Sequence, residues 1–168
     1  LLEKALSHFL TMDEYKTQPQ SPSFDDTKGW ETKVGSFTGG DQRTATQEDK
    51  TCWNAWWSGI SASEGTNQTM EIRQQLTGLA EGLYQLECKA STQHYCLSDQ
   101  HGFIAVKHAG DSEYAEELTT PQLTRDYLDI DGTLSAWQTL TTTPVYVSPT
   151  DTIIIGFTGS KAGATDYA

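Results

Sequence analysis

The chain has 168 residues, with 11 Lys and Arg against 23 Asp and Glu, for a formal net charge of −12. That charge repels a phosphate backbone and excludes nucleic acid as an expected partner, and no apolar run approaches the roughly eighteen residues that a membrane span needs. The length suits one ordinary domain with an appendage, and abundant Thr, Gln, Gly and aromatics favour a β-rich extracellular module over a helical cytosolic enzyme.

The segment LLEKALSHFLTMDEY sets Leu2, Ala5, Leu6, Phe9 and Met12 at spacings of three and four. This predicts an amphipathic helix that ends before Pro19. It lacks the basic, apolar and small-residue pattern of a signal peptide. Residues 1–18 are therefore expected to be a helix and linker closing a preceding region, with the domain proper at 19–168. From there the period becomes two. TMEIRQQL alternates Met70, Ile72 and Gln74 against Glu71, Arg73 and Gln75, and LYQLECKA turns Tyr84, Leu86, Cys88 and Ala90 one way. With TGLAEG between them, the two runs read as a hairpin. Further strands are expected around Trp30–Val34, Cys52–Ser58, Phe103–Lys107, Tyr114–Leu118, Trp137–Leu140, Val145–Val147 and Thr152–Phe157. In TCWNAWWSG, Trp53 and Trp57 share a face and are expected in the core. Trp56 points the other way, beneath a covering segment or toward a ligand. Ile72, Tyr84, Leu86, Cys88, Ile154 and Phe157 complete the expected core. Many short strands and no helical pattern after the first segment predict an all-β fold, a jelly-roll β-sandwich preceded by a short N-terminal amphipathic helix.

Three stretches, SPSFDDTKGW, QQLTGLAEGLYQLECKA and PVYVSPTDTIIIGFTG, carry a resemblance. They place Pro-Ser-Phe before acidic residues and a tryptophan, then a glutamine-leucine strand and turn, then a late strand ending Gly-Phe. In this they resemble the galactose-binding-like β-sandwich, the jelly roll of many carbohydrate-binding modules and of non-catalytic domains on secreted Bacteroidetes proteins. The resemblance spans roughly residues 21–159. It implies a secreted, surface or periplasmic location, sugar binding in some members, and a structural calcium near the first strand. Asp25 and Asp26 are the residues it offers to that ion; read alone, they are two solvated turn carboxylates. Ser21 stands where the family often has asparagine, and a closing strand is expected to be missing.

Other constellations are weaker. STQHYCLSDQHG concentrates His94, Cys96, Asp99 and His101, acceptable to zinc, yet no second cluster completes a site, so a hydrogen-bonded loop is expected. DIDG at 129–132 starts like a calcium loop, but TLSAWQTL lacks the later acidic ligand. Asn67-Gln68-Thr69 is a formal glycosylation sequon of little weight. Cys52, Cys88 and Cys96 permit at most one bridge; Cys88–Cys96 is geometrically open but unforced, and free thiols are expected.

If successive strands run across and back, residues 35–51, 77–82, 109–113 and 148–151 share one end. Residues 59–67, 92–102, 119–136 and 158–168 share the other. The second end gathers His94, Tyr95, Asp99, Gln100, His101, Arg125 and Tyr127, aromatics beside donors and acceptors, as recognition of a polyhydroxylated ligand requires. The leading expectation is a non-catalytic carbohydrate-binding or surface-interaction module, with a glycan or a neighbouring protein domain as partner and no obligatory cofactor. A structural spacer or protein-interaction domain without a small ligand is the alternative. A jelly-roll glycosidase using Asp99 and Asp129 ranks below both, because nothing in the sequence sets two carboxyls across a cleft.

Overall fold

The computed structural model describes residues 19–35, 40–47, 50–57, 68–92, 99–124 and 136–161. The expected helix at 1–18, and His94, Tyr95, Cys96, Arg125, Tyr127 and Asp129, lie outside the described residues. Among the described residues every regular element is a strand and every pairing is antiparallel. None of these residues forms a helix long and apolar enough to cross a membrane.

The strands are β1 (Glu31–Val34), β2 (Gly40–Gln47), β3 (Lys50–Trp57), β4 (Gln68–Thr77), β5 (Gly82–Tyr84) and β6 (Glu87–Ala90). They continue as β7 (Asp99–Lys107), β8 (Glu116–Thr119), β9 (Gln138–Thr141), β10 (Val145–Val147) and β11 (Thr152–Lys161). A five-stranded sheet runs β1-β4-β11-β7-β8, and three two-stranded ribbons pair β5 with β10, β6 with β9 and β2 with β3.

Strand alternation explains the core. Ile153 and Ile155 of β11 lie beside Val106 and Ile104 of β7 in register, so all four project from one face of the sheet. That face packs on Val145 and Val147 of β10, with Leu79 joining and Tyr84 and Leu86 half-buried against the cluster. Val106 and Val147 are fully enclosed, at 0% exposure. The two layers approach closely at Gly102, where a Cβ would stand 2.9 Å from Cys88 Sγ and 3.0 Å from Leu86 Cδ2. Gly156, in the central strand, faces the opposite side of the sheet. A Cβ there would stand 2.6 Å from the Phe103 ring and 2.5 Å from the Ile72 carbonyl oxygen.

Several expectations require correction. β4 and the run after it do not form a hairpin. Glycine-bounded TGLAEG instead carries the chain out of the sheet, β4 pairs with β1 and β11, and LYQLECKA breaks at Gln85–Leu86 into β5 and β6 on separate ribbons. Its predicted alternation nevertheless holds, with Tyr84, Leu86, Cys88 and Ala90 the more buried set. β2 was not foreseen. In β11 the buried isoleucines are Ile153 and Ile155, while Ile154 and Phe157 are half-buried. β7 begins at Asp99, so Asp99, Gln100 and His101 belong to a strand rather than a loop.

Trp53 is half-buried opposite Thr44, and its enclosed indole N–H lacks a hydrogen-bond partner. Trp56 and Trp57 lie in β3, with their side chains outside the description. Lys50 Nζ sits 5.4 Å from the centroid of the Trp137 ring, a cation–π contact linking the β2–β3 hairpin to the segment entering β9. Cys52 and Cys88 are free thiols. Burial raises the pKa of both, that of Cys88 to about 11 with a further contribution from neighbouring Glu87.

Candidate functional site

Sheet register defines the two ends. Thr77, Thr152 and Lys107 are aligned at one end, and Gln68 pairs with Lys161 and Asp99 with Ser160 at the other. The turns 78–81, 108–115 and 148–151 therefore share the first end, as strand counting predicts. Gly35 belongs at the second end instead, because its Cβ position would press on Thr69. The overlooked β2 accounts for that slip in the expected grouping of residues 35–51.

At the second end, the stems of both loops singled out from the sequence are tied to the sheet. After β8 the chain keeps bonding to β7, with Thr120 N–H donating to Gly102 O at 2.9 Å and Leu123 N–H to Gln100 O at 2.8 Å. Pro121 has no amide hydrogen for this ladder, and Thr120 Oγ1 accepts the Gly102 N–H at 3.0 Å. Alternation puts Asp99 and His101 on the same side of β7. Asp99 Oδ1 lies 2.9 Å from His101 Nδ1 and accepts from Gln122 Nε2 at 3.0 Å. Gln100 faces inward, 7% exposed, and donates to Thr92 Oγ1 at 3.1 Å. Asp99, Gln100 and His101 thus do not form one surface; Gln100 braces the strand from behind. Gln138 supplies the other stem, accepting Thr124 N–H at 3.1 Å and donating to Thr124 O at 2.7 Å.

At the first end an open groove of about 320 Å³ lies between the 108–114 and 150–152 segments, and sequence reasoning did not single it out. Gln75, Lys107, His108, Asp111, Tyr114 and Thr150 are among its lining. The Ser148–Asp151 turn closes through Asp151 N–H to Ser148 O at 3.0 Å, while Asp151 Oδ2 accepts Ser148 N–H at 2.8 Å. The other carboxylate oxygen is 3.2 Å from His108 Nδ1. The Asp151 side chain is 2% exposed against 50% for His108, so a buried carboxylate orients an exposed imidazole. The Ser148 amide holds the Asp151 carboxyl below its ordinary pKa, aided by the Ser148 hydroxyl and His108 and opposed by burial. The only sequence sign was the pair of turn motifs, KHAGD and SPTD; the partners are far apart in the chain.

The SPSFDDTKGW stretch is built as a structural clasp. Trp30 Nε1 donates to Gln20 O at 2.8 Å, and the Phe24 and Trp30 ring centroids are 4.9 Å apart. Buried Gln74 accepts Gln20 N–H at 2.8 Å and donates to Gln20 O at 3.1 Å. Ser21 and Phe24 have positive φ, bending the chain through consecutive turns. Asp26 Oδ1 accepts from Ser21 Oγ and Lys28 N–H, which lower its pKa, the serine contribution being larger. Asp25 Oδ2 accepts Ser23 Oγ at 2.7 Å. These bonds use Asp25 and Asp26 as turn carboxylates, and among the described residues no group of three or more His, Cys, Asp or Glu side chains could hold a metal ion.

On the outward face of the sheet, Arg73 Nε donates to Glu31 Oε2 at 2.8 Å and Nη1 to Glu71 Oε1 at 3.4 Å. Burial, with Glu117 and Glu31 nearby, pushes the Glu71 carboxyl up against the opposing pull of Arg73. This is a half-exposed network tying β1 to β4.

No known family's sequence profile matches the chain, and no curated protein and no solved structure matches it.

Proposed function

We propose that the chain is a non-catalytic carbohydrate-binding module of a larger secreted or surface-exposed protein, built on a galactose-binding-like jelly roll with the helical segment 1–18 leading into it. The observation supporting this reading is the convergence of the two polar loop stems at one end of an all-β fold. Asp99 is held between His101 and Gln122, and Thr124 is clamped by Gln138. Stems fixed in this way keep loop-borne groups in register for a polyhydroxylated ligand at low ordering cost. His94, Tyr95, Asp99, His101, Arg125 and Tyr127 are the proposed contacts, with Gln100 supporting them from the interior. A tyrosine stacked on the apolar face of a sugar would contribute most of the affinity, and Arg125 would offer a planar fork to adjacent hydroxyls. A structural calcium at Asp25 and Asp26 belongs to the same proposal; the ion needs six to eight oxygens, so carbonyls and water must join the carboxylates. If it binds, chelator will lower the melting temperature and calcium will restore it.

A glycan array probed with the 168-residue chain tests the reading. Binding to at least one glycan, weakened by Tyr95→Ala, Arg125→Ala or Tyr127→Ala in variants that melt like wild type, supports it. No binding to any glycan overturns it in favour of a spacer or protein-interaction domain.

A further inference from the structure

The groove at the opposite end of the sheet carries a second set of oriented polar groups. Three observations converge there. The first is the construction around His108. Asp151 has one oxygen committed to the Ser148 amide and the other to His108 Nδ1, so the imidazole is fixed from behind and Nε2 is the ring nitrogen left to meet a ligand. The second is the chemistry of the lining, where Lys107 donates, Asp111 accepts and the Gln75 amide does both. The third is the distribution of exposed apolar side chains. Among the described residues the large exposed hydrophobics are Leu83, Tyr114 and Tyr146. Tyr114 lines the groove, and Leu83 and Tyr146 are paired on the ribbon that leads into the Ser148–Asp151 turn.

We propose that this groove is a second saccharide-binding site, in which Tyr114 meets the apolar C–H face of one neutral sugar residue while Lys107, His108 and Asp111 bond its adjacent hydroxyls. The inference rests on the saccharide-binding reading above and assigns a site that reading does not use. A volume of about 320 Å³ lies at the small end of ligand sites and suits one sugar unit rather than a buried oligosaccharide. Charge selects the class: Lys107 is balanced by Asp111, and the chain carries −12, so an anionic sugar gains nothing overall.

The test is aromatic-region NMR of the 168-residue chain titrated with methyl galactoside, methyl glucoside, methyl mannoside and glucuronate. The expected result is saturable movement of the His108 and Tyr114 ring signals with at least one neutral glycoside. Tyr114→Ala and Lys107→Ala, with melting temperatures matching wild type, should weaken that binding at least about tenfold, and Tyr114→Phe should leave it within about twofold. Movement confined to the His101 ring signals would overturn this second site and leave the proposed function standing. Tightest binding of glucuronate at His108 would overturn the neutral-sugar assignment. If none of the four sugars moves any signal, this inference fails; no binding on the glycan array as well would remove the proposed function with it.

Discussion

Gly102 is the position where a single added methyl group probes the facing of the two layers. A Cβ there would stand 2.9 Å from Cys88 Sγ, 3.0 Å from Leu86 Cδ2 and 3.2 Å from Thr120 Cγ2. Ordinary contact begins near 3.4 Å, so all three neighbours must retreat by a few tenths of an ångström. Overfilling a packed interior costs about 1–3 kcal/mol, and the middle of that range applies to Gly102→Ala because the obstructing atoms belong to side chains rather than backbone. Cys88→Ala alone, losing one half-buried sulfur, should cost on the order of 1 kcal/mol. Together the two changes should cost less than their sum by at least ~0.5 kcal/mol, because the alanine methyl occupies space that the sulfur vacates. Urea melts followed by tryptophan fluorescence give all four corners of this cycle, each kcal/mol also moving the melting temperature by about 2–4 °C at this chain length. Additivity within ~0.3 kcal/mol would mean that β6 does not lie over β7, and the layer arrangement would be wrong.

Gln74→Leu keeps the buried volume but removes both bonds to Gln20; it should cost about 1–3 kcal/mol in the same melts, and a stability equal to wild type would show that the clasp is not fixed by Gln74. With its pKa near 11, the Cys88 thiol should alkylate with iodoacetamide at pH 8 at least about a hundredfold more slowly than an unperturbed cysteine, by peptide mass spectrometry under native conditions; rapid modification would contradict its burial. Asp151 has a lowered pKa in the fold, so its stabilising contribution is fully present above the unfolded carboxylate pKa of about 3.9 and is lost as pH falls through the folded value. Asp151→Asn should therefore flatten the acid limb of a stability–pH profile, and an unchanged acid limb would count against the Ser148–Asp151–His108 arrangement.

The parts of the fold that could be read from sequence are those where burial imposes a period. Met70, Ile72 and Gln74 alternate with polar residues because one face of β4 meets the core, and the prediction of that face holds. The IIIGF run carries no alternation, since β11 is central and partly covered on both faces, so its inward set could not be chosen by pattern. GDQRTATQ lacks a run of apolar residues altogether; β2 is defined by its eight-residue pairing with β3, which leaves no mark in side-chain hydrophobicity. TGLAEG suits a tight connection and so predicts a hairpin, whereas the partners of β4 are β1 and β11, both distant in sequence. For the sites, strand counting put the stems at Asp99 and Thr119 at one end, where the sheet register has them. It drew attention away from His108 and Asp151, whose significance comes from a contact between separate turns.

The central claim, a module that binds carbohydrate without transforming it, is tested most directly by affinity electrophoresis through gels containing plant, algal and bacterial polysaccharides, with the same polysaccharides assayed for new reducing ends. The account predicts retarded migration in at least one gel and no release of sugar from any polymer. Unretarded migration in every gel would contradict the binding, and release of reducing ends by the purified chain would show that it is an enzyme.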